Sequence, residues 1–206
     1  MRVTNLTKSY KDITVLKDVN MEIEKGKISF LLGKNGSGKT TLFKCLLNLE
    51  KYNGEVVISD SRFCIFDDVP FYDNFSGLDN IKYIAEYYGV KNYNINYELL
   101  DNKKLQKKVK TYSYGQRKKL GLQVIEILNP DVIIMDEASN GLDYDTLKVL
   151  KKKLLEWKNH KEILLSGHQL DFYNDIVDNI YLIKDSKIIK YDGEFENLGE
   201  IYERNL

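Results

Sequence analysis

The chain has 206 residues, 43% of them hydrophobic, which is enough to form the buried core of at least one domain. Its 31 basic and 31 acidic residues give a formal net charge of zero, which excludes a disordered chain or a strongly basic nucleic-acid-binding chain as the default. No apolar run approaches the roughly 20 residues that cross a bilayer, and the N-terminus lacks a signal-peptide pattern. We therefore expect a soluble cytosolic protein.

The first predicted elements are strands that lead into a glycine-rich loop. Apolar residues alternate between residues 3 and 23, and a short apolar strand at residues 28–32 runs directly into the loop. Apolar residues at helical spacing follow the loop, and residues 56–58 and 63–66 are predicted to form two more short strands. This order of elements is typical of the start of an α/β protein.

The middle of the chain is predicted to be helical. Ser76 and Asp79 form a capping-box pattern before a helix that ends at Gly89, and a second helix is predicted from Ser113 to Asn129. The segment between them is polar and weakly periodic. We expect a helical subdomain inserted at about residues 76–129.

The last third returns to alternating strands and helices. Residues 132–135 are continuously apolar, as in a strand buried on both faces of a parallel sheet. An amphipathic helix around residues 147–157 and strands at 163–165 and 180–183 follow. The predicted fold is α/β, with a mostly parallel central sheet, an antiparallel N-terminal β-subdomain and the helical insert, in one domain spanning residues 1–206.

Residues 33–40 match the G-x-x-x-x-G-K-[ST] pattern of phosphate-binding loops. Glycines allow successive backbone N–H groups to point at phosphate oxygens, and the following helix adds the positive end of its dipole. The predicted nucleotide-binding residues are Gly33, Lys34, Asn35, Gly36, Ser37, Gly38, Lys39 and Thr40. Lys39 is expected to reach the β- and γ-phosphates, and the Thr40 hydroxyl to ligate Mg²⁺. Kinases, GTPases and motor ATPases share this loop, so it indicates nucleotide binding and leaves the reaction open.

Two adjacent carboxylates, Asp136 and Glu137, follow the buried strand. Successive strand residues face opposite ways, so different roles are expected for the two side chains. Asp136 suits the Mg²⁺ shell, and Glu137 suits a base that accepts a proton from the attacking water. About a hundred residues after a phosphate loop, this pair indicates hydrolysis rather than a kinase.

Together these motifs resemble the ATP-binding cassette (ABC) ATPases over nearly the whole chain. Thr41 continues the phosphate loop as in that family, and residues 136–143 are similar to its second acidic motif and D-loop. Residues 112–116 read Tyr-Ser-Tyr-Gly-Gln at the place of the family signature, usually Leu-Ser-Gly-Gly-Gln. His168 resembles the switch histidine, and Tyr10 lies where the family stacks an aromatic ring on adenine.

The resemblance implies a head-to-tail dimer in which two chains enclose two ATP molecules. Ser113, Gly115 and Gln116 of one chain would bind the ATP held by the phosphate loop of the other chain. Two helix N-termini on opposite sides of one phosphate tail make ATP the link between the chains. The implied catalytic residues are Lys39, Glu137 as the base and His168 as the γ-phosphate sensor.

Several positions depart from the family pattern. Tyr112 and Tyr114 replace the signature Leu and first Gly, the latter a change familiar in the exporter-type branch. Asp67 stands near the position of the Q-loop glutamine and is expected to face Mg²⁺ or water. Ala138 and Tyr144 replace prolines. Because the catalytic positions are intact, we expect an active ATPase with ATP and Mg²⁺ as cofactors.

The missing membrane span implies a separate transmembrane subunit. We expect an exporter-type ATPase, cytoplasmic and peripheral at the inner face of the cell membrane, with no nucleic acid as partner. One alternative is a soluble ABC ATPase serving cluster assembly, translation or DNA maintenance. Another is a nucleotide-binding regulator without turnover, which the presence of Glu137 and His168 opposes.

The remaining notable side chains are interpreted as structural. The lysines at residues 103–110 and 151–153 are expected on solvated helix faces. An alternative interpretation of the first cluster is that it contacts anionic lipid headgroups. Tyrosines between residues 87 and 97 are expected to be half-buried rather than a partner surface. Trp157, Cys45 and Cys64 are assigned to the core.

Overall fold

The computed structural model describes residues 1–67, 70–137, 139–194 and 197–206. The strands among these residues are β1 (Arg2–Tyr10), β2 (Ile13–Glu22), β3 (Ile28–Gly33), β4 (Asn53–Val57), β5 (Arg62–Ile65), β6 (Val132–Asp136), β7 (Glu162–Ser166), β8 (Asn179–Lys184) and β9 (Lys187–Lys190). The helices are α1 (Lys39–Leu46), α2 (Gly77–Tyr87), α3 (Asn102–Leu105), α4 (Tyr114–Leu128), α5 (Tyr144–Lys158), α6 (Leu170–Tyr173) and α7 (Leu198–Asn205), with a 3₁₀ turn at Val109–Thr111.

The larger sheet has the strand order β5-β6-β7-β3-β8-β9. Its neighbours pair in parallel, except that β9 runs antiparallel to β8. Every residue of β3 and β6 is buried, as expected for central strands covered on both faces. The parallel arrangement brings the carboxyl ends of β3, β6 and β7 to one edge, where α/β proteins place their ligands.

The smaller sheet is antiparallel, with the order β2-β1-β4. Its inner side shares a hydrophobic core with α1 and one face of the larger sheet, through residues such as Leu6, Leu16, Leu42 and Leu46. This packing holds the loop between β3 and α1 against the smaller sheet.

The helices between residues 76 and 129 pack around a third apolar cluster, which includes Ile81, Leu105, Leu120 and Val124. Helix α2 begins at a capping box, in which Ser76 Oγ accepts from the Asp79 N–H and Asp79 accepts from the Ser76 N–H. Helix α4 ends at Asn129, which adopts the left-handed conformation common after a helix.

The predicted α/β architecture, with its mostly parallel sheet, antiparallel N-terminal sheet and intervening helices, is confirmed. Strand β9 and helix α7 were not predicted, and the polar segment before the signature contains α3 and a 3₁₀ turn. The division into domains remains a prediction, and the interpretation of Ala138 falls outside the described residues.

The prediction that Lys153 lies on a solvated face is wrong. Its side chain is buried and pairs with Glu126 of α4 and, at 3.9 Å, with Glu98. Lys153 lies on the same face of α5 as the buried Leu150 and Leu154, and the two carboxylates compensate the charge of its buried ammonium.

Trp157 and Cys64 are only partly buried, at the margin of the core, whereas Cys45 is fully buried. The prediction that the tyrosines between residues 87 and 97 are half-buried is wrong for Tyr87, which is 79% exposed, and Tyr88 and Tyr97 are exposed as well.

Candidate active site

The carboxyl ends of β3, β6 and β7 open onto a cleft of about 490 Å³. The loop of residues 33–40 follows β3, Asp136 ends β6, and Ser166 ends β7. The predicted site residues that line the cleft are Asn35, Gly36, Gly38, Lys39, Thr40, Thr41, Asp67, Asp136, Glu137 and His168. Residues far apart in the chain therefore meet at the edge predicted from the motifs.

The backbone of the loop has the shape of a phosphate cradle. Gly36 and Gly38 have φ angles of 76° and 110°, which side-chain-bearing residues rarely adopt. Gly38 is also the N-cap of α1, which has no side-chain cap. The first N–H groups of this helix have no partner within the helix, so they suit an anion placed at its N-terminus.

The Lys39 ammonium is held over the same loop. Its Nζ donates to the carbonyl oxygens of Gly33 at 2.7 Å and Lys34 at 3.1 Å. Burial lowers the pKa of Lys39, while the negative charges of Glu137 and Asp136 oppose that shift. A cation fixed beside backbone N–H groups is suited to binding the terminal phosphates of a nucleotide.

Asp136 has a hydroxyl group on each side. The Thr40 hydroxyl donates to its Oδ2 at 2.5 Å, and the Ser166 hydroxyl donates to its Oδ1 at 2.5 Å. In the described part of the chain, no three His, Cys, Asp or Glu side chains cluster to hold a metal by themselves. Mg²⁺ in nucleotide sites usually binds one or two protein oxygens together with the nucleotide phosphates. The Thr40 hydroxyl and the Asp136 carboxylate fit this pattern.

Glu137 is oriented by contacts to its carboxylate. Its Oε2 accepts from the backbone N–H of His168 and the side-chain amide of Asn140, each at 3.1 Å, and its Oε1 lies 3.3 Å from His168 Nε2. The Glu137 side chain is mostly buried, whereas 44% of the His168 side chain is exposed. This pair presents a carboxylate and an imidazole to the cleft beside the phosphate loop.

Asp67 lies at the rim of the cleft and contacts helix α4. Its Oδ1 accepts from the Tyr114 hydroxyl and from Lys118 Nζ, the latter at 3.2 Å. Lys118 also donates to the backbone carbonyl of Glu137. Asp67 therefore connects the cleft to the first turns of α4.

A family model described as "ABC transporter" matches residues 16–140, more than half of the chain. The chain belongs to this family. It is an ATP-binding subunit of an ABC transporter and an ATPase.

This ABC ATPase has relatives along its whole length. The "Lantibiotic transport ATP-binding protein SrtF" of Streptococcus pyogenes is 33% identical over 224 residues, covering 100% of this chain and 97% of the relative. A solved ATP-binding subunit of an ABC transporter superposes with a TM-score of 0.87 and 22% identity, covering 98% of this chain and 92% of that one. A dimeric ATP-binding cassette in a post-hydrolysis state, bound to ADP and Pi, has a TM-score of 0.76 and 23% identity, covering 94% and 99%.

Some predicted site residues of this ABC ATPase do not line the cleft. Gly33, Lys34 and Ser37 belong to the loop but do not line the cleft; Gly33 is buried, whereas Lys34 is exposed to solvent. Tyr10 ends β1 and is 40% exposed, with the Lys8 ammonium 4.3 Å from its ring centroid. Its predicted contact with adenine remains a prediction.

The signature residues also lie outside this chain's own cleft. Ser113 is the N-cap of α4, and it forms a capping box with Gln116. Gly115 approaches the loop after β6 so closely that a Cβ would lie 2.4 Å from the Gly141 carbonyl oxygen. Because Ser113 is exposed at a helix N-terminus, the signature faces outward.

Besides Lys118, sequence reasoning missed four side chains that shape the site of this ABC ATPase. Asn140 and Ser166 bond the two carboxylates, and Tyr173 donates to Ser139 Oγ at 3.0 Å behind the His168 loop. Burial raises the pKa of Tyr173 to about 12, so this donor keeps its proton. Only Asn140, three residues after Glu137, has a local signal; the others depend on contacts between elements.

Proposed function

We propose that this chain hydrolyses ATP to power export through separate membrane-spanning subunits, by ATP-driven head-to-tail dimerisation. The observation that carries the proposal is the cleft in which the phosphate loop, the Thr40–Asp136 pair and the Glu137–His168 pair meet. It combines a phosphate cradle, a Mg²⁺ site and a base.

The binding part of the mechanism uses the loop and the first turn of α1. Backbone N–H groups of residues 35–41 and the Lys39 ammonium bind the phosphates. Thr40 and Asp136 are the residues that would hold Mg²⁺, which when bound would supply positive charge to the phosphate oxygens. Burial lowers the pKa of Lys39, and the negative charges of Glu137 and Asp136 oppose that shift.

The hydrolytic part uses Glu137 and His168. The Glu137 carboxylate orients a water molecule and takes its proton, and Asn140 holds that carboxylate in place. His168 lies beside Glu137 and is more exposed. It contacts the γ-phosphate of ATP, and this contact is lost after hydrolysis. Both groups act at the same face of the phosphate tail.

The outward position of the signature supports a dimer. Ser113 and the first turn of α4 are exposed and do not reach this chain's own cleft, so they are available to the ATP held by a second copy. The dimeric cassette with similar fold provides a precedent for paired cassettes. In this arrangement the N-terminus of α4 adds a second dipole to the phosphate tail.

A groove between β5 and α2 supports a membrane partner. It has a volume of about 620 Å³ and is lined by aromatic side chains that include Phe63, Tyr83, Tyr87 and Tyr88. None of the helices formed by the described residues has the length and apolar character of a membrane span. We infer that an apolar segment of a separate membrane subunit occupies this groove, which places the ATPase at the cytoplasmic face. The relative SrtF is named for lantibiotic transport, and this likeness supports a transport role for the chain.

The test of this function is Glu137→Gln, assayed with ATP and Mg²⁺. The amide cannot take a proton from water, so we expect phosphate release to fall by at least about a hundredfold. We also expect an ATP-dependent dimer on gel filtration that the wild type forms only transiently. Release of phosphate at the wild-type rate would refute the role of Glu137, and a monomer at saturating ATP would refute the dimer.

A further inference from the structure

Lys118 is a buried cation beside the cleft, and its ammonium bonds to Glu137 and Asp67. It lies in the second turn of α4 and is 1% exposed. Its Nζ donates to the Glu137 carbonyl oxygen and to Asp67 Oδ1, and it lies 5.1 Å from the centre of the Tyr114 ring. The buried ammonium thus joins the signature helix to the residue proposed as the base.

The burial of this cation has a free-energy cost that its partners compensate. Desolvation lowers the pKa of Lys118, and the hydrogen bond and charge of Asp67 oppose this shift. An apolar side chain would fill the same space without desolvating a charge. Packing alone therefore does not explain why residue 118 is a lysine.

The backbone that Lys118 contacts is strained. Glu137 has a φ angle of 55°, in the left-handed region that residues other than glycine rarely adopt. Its N–H donates to the Ser166 carbonyl at 3.2 Å, and its carbonyl accepts from the Asn140 N–H at 3.1 Å as well as from Lys118. These bonds hold the peptide in the conformation that directs the carboxylate toward His168.

The first turn of α4 makes a second contact with the same loop. The Tyr114 ring lies over Gly141, where a Cβ would approach it to 2.3 Å, and its hydroxyl donates to Asp67. A shift of α4 would therefore move Tyr114, Lys118 and the Glu137 carbonyl together. Interactions of this kind transmit motion between packed elements.

We propose that Lys118 is a positioning residue for hydrolysis. Its hydrogen bond to the Glu137 carbonyl, which Asp67 supports, orients the Glu137 carboxylate and couples that orientation to the position of the signature helix. The inference rests on the proposed role of Glu137 as the base. It assigns Asp67 to holding Lys118 rather than to the Mg²⁺ shell expected from its sequence position.

The experiment compares Lys118→Met, Lys118→Gln and Lys153→Met in the full-length chain. Methionine keeps much of the volume of lysine and donates no hydrogen bond, whereas glutamine keeps a donor. Lys153 is also a buried, ion-paired lysine, but it lies on α5 away from the cleft, which makes it a matched control. Steady-state kcat, the KM for ATP and the melting temperature are measured for each variant, with Glu137→Gln alongside.

We expect Lys118→Met to reduce kcat by at least about tenfold with the KM for ATP nearly unchanged, since small displacements of a catalytic group have large effects on rate. Lys118→Gln should recover most of kcat. Lys153→Met should lower the melting temperature without lowering kcat.

A Lys118→Met enzyme with wild-type kcat would overturn the inference, as would a Lys118→Gln enzyme as slow as the methionine variant. Equal losses of kcat in Lys118→Met and Lys153→Met would also overturn it, because general destabilisation would then account for both. Glu137→Gln separates this inference from the proposed function. If that variant is inactive and Lys118→Met is not, only the role of Lys118 fails; if it is active, the assignment of the base fails.

Discussion

Asp136 takes its orientation from residues on two other elements. Thr40 on α1 and Ser166 at the end of β7 each donate a hydroxyl to one of its oxygens. Residue types and spacing are enough to predict Thr40 and Asp136, because a phosphate loop requires a hydroxyl after its lysine and hydrolysis requires an acid after a buried strand. Ser166 could not be predicted in this way, since its role depends on the register Asp136↔Ser166 between β6 and β7.

We expect Asp136→Asn to weaken Mg²⁺ binding. An amide oxygen carries no charge, so the Mg²⁺ concentration that gives half the maximal rate should rise by about 10- to 100-fold. The measurement is a Mg²⁺ titration of ATPase activity at saturating ATP. Asp175→Asn, at an exposed carboxylate paired with Lys151, is the control and should leave the titration unchanged. An unaltered curve for Asp136→Asn would exclude this carboxylate from the Mg²⁺ site.

Helices α2 and α4 begin in the same way, with capping boxes at Ser76 and Ser113. Both starting points are readable from the sequence because a serine precedes a side chain able to bond back three residues later. The short strand β9 and helix α7 were harder to predict. Helix α7 has eight residues and owes its place to packing of Leu198 and Ile201 on the main core.

The two serines provide a matched test of the signature helix. Loss of either cap by substitution with alanine should destabilise the protein by about 1 kcal/mol in urea unfolding. Only Ser113→Ala should also weaken the ATP-dependent dimer and the ATPase rate, because Ser76 lies on a helix that is not proposed to meet ATP. Equal effects of both variants on dimerisation would indicate that Ser113 acts only as a helix cap.

At the scale of the molecule, the alternation of strands and helices predicts the class of fold, whereas the strand order depends on tertiary contacts. Nothing local places β3 between β7 and β8, yet that order brings the phosphate loop beside the His168 loop. The same limit applies to Asp67. Its sequence position indicates a role at the cleft, while its bonds to Tyr114 and Lys118 follow from how α4 docks on the sheet.

The groove beside α2 gives a prediction for the assembled transporter. Tyr83→Asp places a charge in the groove and should reduce recovery of the membrane subunit in a pull-down from detergent-solubilised membranes, with ATPase activity retained. Ile13→Asp is the control, since Ile13 is 70% exposed on β2 and lies outside the groove. Recovery of only soluble partners by the wild-type chain would favour an ABC ATPase that is not coupled to transport.

The left-handed backbone at Glu137 has a consequence for how this protein can change over generations. Glycine is the residue that this conformation suits best, so exchange of the proposed base for glycine would relieve backbone strain while removing the carboxylate. A substitution by glycine would therefore remove hydrolysis without reducing the stability of the fold. Selection for turnover alone would then preserve the glutamate, and a lineage released from that selection could drift toward stable, nucleotide-binding descendants.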